Sequence, residues 1–197
     1  MRPRTRKRGE ARERIVAAAT TLFNEVGYGG TDSNAIARAA GYAPATFYRY
    51  FTDKLSLFLE IFRRSVQDEW SAIESIAPER GRVRALVRVL LDHHRRWAGL
   101  RRSLRGLALT DPDARAAFWA RRTEQIDRAI VVSGKADLPL GRARAAAAII
   151  VLAALADAAA DGELEYYGLG PDEIEQMMVD LALTLAQAPG TAPREDK

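Results

Sequence analysis

Apolar residues recur at three- and four-residue intervals along almost the whole chain, and strand-like alternation is nearly absent. Ile15, Ala18, Ala19, Leu22 and Phe23 form the first such stripe, which predicts an amphipathic helix ending at the glycines 27, 29 and 30. Thr31, Asp32 and Ser33 each offer a side-chain oxygen to cap a second helix with apolar positions Ile36, Ala37 and Ala40, and Gly41 ends it. Pro44 suits the first turn of a third helix, because that position needs no backbone donor. This helix is expected to run to Tyr50, with Thr52 and Asp53 starting the next. Two short helices joined by a tight glycine turn form a helix-turn-helix, in which small Ala37 lets the helices approach and Phe47 plugs the corner.

The rest of the chain reads as a helical body. Leu55, Phe58, Leu59, Phe62, Val66, Ile73 and Ile76 lie on one side of a helix interrupted at Pro78. Val83, Leu86, Val87, Leu90, His94 and Trp97 then share one face, while Arg84, Arg88 and Arg95 share the opposite one. That arginine stripe reads as a solvated face, with a pocket for an anionic ligand as the alternative. A short connector around "RRSLRGLAL" precedes a helix that Pro112 opens. Alanine-rich "GRARAAAAIIVLAALADAAADGELEYYG" has no wide polar face, which suits a helix packed on several sides. The last helix keeps Ile174, Met177, Met178, Leu181 and Leu185 on an apolar stripe. The expected fold class is all-α.

Composition narrows the chemistry. Without cysteine there is neither a disulfide framework nor a thiolate zinc site. His93 and His94 point about 100° apart on a helix, so they do not chelate one ion, and no metal is expected. His94 reads as a packed core histidine, with orientation of a small molecule as the alternative. There is no glycine-rich phosphate loop and no H-E-x-x-H spacing, so neither an enzyme nor a cofactor is expected. No unbroken run of 18 apolar residues exists and no apolar segment follows the N-terminal charges, so no spanning helix, membrane partner or secretory signal is expected and the location reads as cytoplasmic. The net charge of +4 is unevenly spread: residues 1–55 hold ten basic and five acidic side chains, the remainder 20 and 21. Such asymmetry points to a polyanion-binding front end on a more neutral body.

The stretch "GYGGTDSNAIARAAGYAPATFYRYFTDKLSLFLEIF", within residues 11–62, resembles the N-terminal DNA-binding domain of the TetR family of bacterial transcriptional regulators. Helix, glycine stop, Thr cap, "IA…AG", "P.T.YRYF" and the lysine at 54 occur in register. The resemblance implies a basic flexible arm at 1–9, a helix-turn-helix domain at 10–55, a helical regulatory and dimerisation domain at 56–188 and a disordered tail at 189–197. Ala43 stands where the family usually has a serine cap and Ala45 where it often has glycine, which leaves the base preference open.

By the same resemblance, Ala43, Pro44, Ala45, Thr46, Tyr48 and Arg49 face the major groove. Tyr42, Tyr50 and Lys54 serve the phosphates, Thr31 and Ser33 are also expected at the DNA, and Arg6 and Arg8 of the arm add phosphate or minor-groove contacts, with a solvated tail as the alternative. Phe47 and Phe51 turn inward. The expected effector pocket draws on Phe62, Val66, Trp70, Leu90, His94, Trp97, Phe118 and Trp119, with ordinary core packing as the alternative. A homodimer interface is expected through Ile150, Ala154, Ala158, Met177, Met178, Leu181 and Leu185. The implied function is a dimeric repressor that binds a palindromic double-stranded operator and is released by a small molecule. The alternative is a sequence-indifferent architectural DNA-binding protein without an inducer.

Overall fold

A computed structural model describes residues 4–76, 81–134 and 140–187, with side chains from residue 9 onward. Among these residues there are ten helices and no strand. They are α1 (Arg4–Glu25), α2 (Ser33–Ala39), α3 (Pro44–Phe47), α4 (Lys54–Glu74) and α5 (Arg82–Arg96), followed by α6 (Ala98–Thr110), α7 (Pro112–Gly134), α8 (Arg142–Ala160), α9 (Glu163–Tyr166) and α10 (Pro171–Gln187).

Two boundaries differ from the sequence reading. The basic arm is not separate from the first helix: residues 4–9 are already part of α1, because arginine, lysine and glutamate are good helix formers and Gly9 alone does not stop propagation. The side chains of Arg6 and Arg8, the break at Pro78 and the tail at 189–197 lie outside the described residues. The third helix is also shorter than expected. After Phe47 the chain tightens through bonds from Arg49 N to Thr46 O and Tyr50 N to Phe47 O, which close a three-residue turn rather than a helical one.

The chain forms two compact units, and neither ends at residue 55. The first gathers residues 4–68 and 97–119. Its core is built from Ile15, Ala19 and Phe23 of α1, Ile36 and Ala37 of α2, Phe47, Phe51, then Leu57, Phe58 and Ile61 of α4. Leu100 and Leu104 of α6 complete it, so α6 belongs to this unit although α5 separates it from α4 in the sequence. Contact between α1 and α6 is close enough that a Cβ on Gly99 would lie 2.2 Å from the carbonyl oxygen of Asn24. The Leu100 amide donates to Asn24 Oδ1 at 3.2 Å and the Tyr28 amide to Ser103 Oγ at 2.9 Å, which locks that approach.

The second unit gathers the described residues of 69–96 and 120–187. Val87 and Leu91 of α5, Ala156 and Ala159 of α8, and Ile174, Met178 and Val179 of α10 form its core. The alanines explain the packing of α8, since small side chains allow α5 and α10 to approach its backbone closely. By length and composition α8 passes for a membrane span, with a mean hydropathy of 1.8 over its apolar window. The core helix of a soluble protein passes the same test, and the count of unbroken apolar residues is interrupted here by Asp157 and by the arginines 142 and 144. The inner alanines of α8 are committed to α5 and α10, while Ile150, Val151 and Ala154 are exposed.

Candidate nucleic-acid interface

The geometry of the helix-turn-helix follows from its sequence one residue at a time. Asp32 caps α2 by accepting from the Ala35 amide at 2.8 Å, and that bond holds its carboxyl below the usual carboxylate range. Gly41 takes φ +80°, a left-handed conformation that glycine adopts without a steric cost. The turn is then closed by Tyr42 N bonding to Ala37 O at 2.9 Å. Ala43 provides no side-chain cap for α3, and Pro44 begins it by needing none.

This arrangement turns Phe47 and Phe51 into the core and leaves Tyr48 outside at 59% exposure. Ala43, Pro44, Ala45 and Arg49 are exposed beside it, with Ser33, Tyr42, Thr46 and Tyr50 half-buried at the margin. The guanidinium of Arg49 has no partner among the described residues. A protruding α3 therefore presents two methyl-bearing side chains, a phenol and a free cation, a set suited to base edges and phosphates. The sequence reading missed Arg14, whose guanidinium lies 5.1 Å from the centre of the Tyr42 ring and so fixes that ring beside the turn.

Lys54 is the clearest correction. It was expected on a phosphate, but its Nζ donates to the carbonyls of Tyr28 and Thr31 at 2.7 and 2.8 Å and sits 3.9 Å from the centre of the Tyr28 ring. Burial pushes its ammonium pKa down, with the charge of Asp32 opposing. Thr31 is likewise buried and serves the clamp through its carbonyl rather than facing a groove. Lys54 thus staples the loop before α2 to the start of α4. Replacing it with methionine keeps the stem but leaves two carbonyls unpaired, and a loss of about 2 kcal/mol in urea unfolding is expected. A phosphate-contacting lysine would instead leave stability unchanged and lower the salt dependence of DNA binding.

α1 is also tied to α4 by charge. Arg64 donates to Glu13 at 2.6 and 2.9 Å and to Glu60 at 2.8 Å, and Arg12 donates to Glu60 at 2.5 Å. The bond from Arg64 is the main reason that the Glu13 carboxyl titrates below its ordinary range.

Residues 15–61, which cover the helix-turn-helix and the Lys54 clamp, match the family model described as "Bacterial regulatory proteins, tetR family". These residues form a domain of the TetR-family type. The family is one of transcriptional regulators rather than enzymes. Over 89 residues the chain is 32% identical to the HTH-type transcriptional activator FasR of Mycolicibacterium smegmatis, a match that takes in 43% of this chain and 41% of that protein. The TetR-like fold extends much further than the sequence match. A transcriptional regulator from Rhodococcus sp. RHA1 superposes with a TM-score of 0.72 at 20% identity, over 92% of this chain and 99% of that one. The fatty acid degradation regulator FadR from Bacillus halodurans gives 0.65 at 17% identity, over 90% and 95%. A structure from Saccharomonospora viridis solved in complex with choline gives 0.71 at 22% identity, over 88% and 95%.

The second unit contains a cavity of about 570 Å³, within the range of small-molecule sites. Trp70 and Leu90, two of the residues named from the sequence for an effector pocket, line it. The other expected residues do not. Phe62, Val66, Trp97, Phe118 and Trp119 belong to the first unit, where Phe62 and Val66 are core and Trp119 is exposed. His94 is fully buried with Nδ1 2.8 Å from Asp157 Oδ1, a core pairing rather than a ligand contact. No group of side chains able to hold a metal occurs among the described residues. Glu69, Gln125 and Ser133 were missed, as were Ala148, Leu152 and Leu183, because they reach the cavity from helices far apart in sequence. The arginine stripe is largely structural: Arg84 and Arg88 donate to Glu175 of α10 at 2.6 and 2.8 Å, although Arg82 and Arg84 also line the cavity.

The residues expected at a dimer interface differ in exposure. Ile150 is 54% exposed and Ala154 is exposed, whereas Ala158, Met177, Leu181 and Leu185 are half-buried. Met178 is fully buried against its own unit and is removed from that set, because a side chain without accessible surface offers none to a partner.

Proposed function

We propose that this chain is a sequence-specific, homodimeric transcriptional regulator of the cytoplasm whose operator affinity is set by a small molecule bound in the second unit. The observation that carries the reading is the protruding α3, with Tyr48 and Arg49 exposed on a helix-turn-helix whose other side is sealed by Phe47, Phe51 and the Lys54 clamp. Exposed Ile150, Val151 and Ala154 support pairing of two copies along α8, which would present two α3 helices to adjacent major grooves of a palindrome. The chain runs through both units along α4, so a ligand favouring one head spacing shifts the DNA-binding equilibrium by its differential affinity and no more. We assign the sign as repression relieved by ligand. Activation is the second reading, favoured by the named activity of the Mycolicibacterium smegmatis relative.

Selection of bound duplexes from a random library at about 0.15 M salt tests the reading, because at that ionic strength much of the nonspecific binding is screened. Enrichment of a palindrome is expected. Tight binding with no enriched sequence would mean an architectural protein instead, and a reporter carrying the selected site then separates repression from activation. Arg49→Ala is expected to weaken binding to that site by about 10- to 100-fold without altering helicity or sedimentation. A folding or association defect would show that Arg49 is structural.

A further inference from the structure

Resting on the reading of the cavity as the effector site, we infer that its ligand is an apolar molecule carrying hydrogen-bond acceptors, anionic or uncharged, and not an organic cation. The argument is an inventory of the polar groups in an otherwise aliphatic lining. Ser133 Oγ is used twice, donating to Ile130 O at 2.9 Å and accepting from the Leu140 amide at 3.1 Å. Arg84 is used by Glu175 and Gln176. Glu69 is held by Arg121 at 2.9 Å, with His93 Nε2 at 3.7 Å, so its charge is already answered.

What remains are donors. Trp70 is only 4% exposed, yet its indole N–H has no hydrogen-bond partner among the described residues. Arg82 Nε is buried and in the same condition. A buried donor left unsatisfied carries a desolvation cost that a ligand acceptor removes, so the cavity is matched to carbonyl, ester or carboxylate oxygens. Gln125, nearly buried, can present either end of its amide to such a group. Cations are poorly served. Among the described lining residues Trp70 is the one aromatic, its ring already faces the Arg128 guanidinium at 5.2 Å, and the one carboxylate, Glu69, is paired. A quaternary ammonium such as choline, bound in the Saccharomonospora viridis structure, needs an open aromatic face or a spare negative charge.

Three probes with one chain length separate the classes: decanoate, methyl decanoate and decyltrimethylammonium, each titrated calorimetrically into the full-length protein below its micellar concentration. Decanoate and the ester are expected to bind, and the cation at least tenfold more weakly. In ¹⁵N-resolved spectra of the unaltered protein, decanoate is expected to move the indole N–H signal of Trp70 and to leave those of Trp97 and Trp119 in place. Trp70→Phe, which keeps an aromatic ring and removes the donor, should weaken both acceptor ligands by about five- to tenfold. Equal or tighter binding of the cation, an unmoved Trp70 signal, or no binding by any probe overturns the inference. Absence of probe binding by a protein that still selects a palindrome would leave the regulator reading standing. Acceptor binding by a protein that selects no DNA sequence would support the ligand class while sinking that reading.

Discussion

Replacing Phe47 with alanine is expected to destabilise the first unit by about 3–5 kcal/mol, the range for emptying a buried aromatic site. Phe47 has no accessible surface, and its ring centre lies 5.3 and 5.7 Å from those of Tyr48 and Phe51. The α3 helix has four residues and no side-chain cap, so it cannot hold its own shape and depends on this plug. Removing it forfeits the dispersion contacts on every side of the ring and leaves a cavity at the corner where α2 meets α3. A whole domain is stable by about 5–15 kcal/mol, so the variant is expected to retain its helices only in stabilising conditions and to lose selective DNA binding. Urea denaturation followed by circular dichroism checks the magnitude; a loss under about 1 kcal/mol would show that the corner repacks around the smaller residue.

Gly99→Ala tests the opposite kind of error. Judged as a helix residue, alanine at this position should be better than glycine by about 1 kcal/mol. Judged by packing, the added methyl would stand 2.2, 2.7 and 2.8 Å from the carbonyl oxygen, carbonyl carbon and Cα of Asn24. These are backbone atoms, which cannot turn aside as a side-chain end can, so α1 and α6 must separate. Overpacking of this sort costs about 1–3 kcal/mol and sometimes more, and here it breaks the Leu100 to Asn24 bond as well. The expected net loss is about 3 kcal/mol by the same urea measurement, against a small gain if propensity alone decided the matter.

These two positions also show what could be read from the residues themselves. Phe47 was legible because its neighbours are local: a proline that starts its helix, a glycine that sets the turn, and a four-residue helix that cannot bury every side. The role of Lys54 was not, since its partners Tyr28 and Thr31 lie 26 and 23 residues earlier and no local pattern announces a lysine that serves carbonyls. The cavity failed for a related reason. Aromatic size was used as a guide, and it picked out Trp97, Phe118 and Trp119 along with Trp70, but size says nothing about which unit a helix joins. The small residues that open the space, among them Ala129, Ala148 and Ala182, carry no signal in a sequence already rich in alanine. Met178 misled because an apolar stripe on a last helix looks the same whether it faces its own core or a second copy.

The return of α6 to the first unit has a practical consequence for anyone who would graft this DNA-reading head onto another sensor. The recognisable domain stops near residue 61, yet its core is closed by Leu100 and Leu104, supplied after the chain has visited the second unit. A chimera joined in α4 would therefore carry an open apolar seam along α1 and have to borrow its lid from the foreign body. Heads of this kind are transferable only with the matching piece of the segment from Trp97 to Trp119, so exchange between relatives needs two junctions placed far apart in the chain and not one.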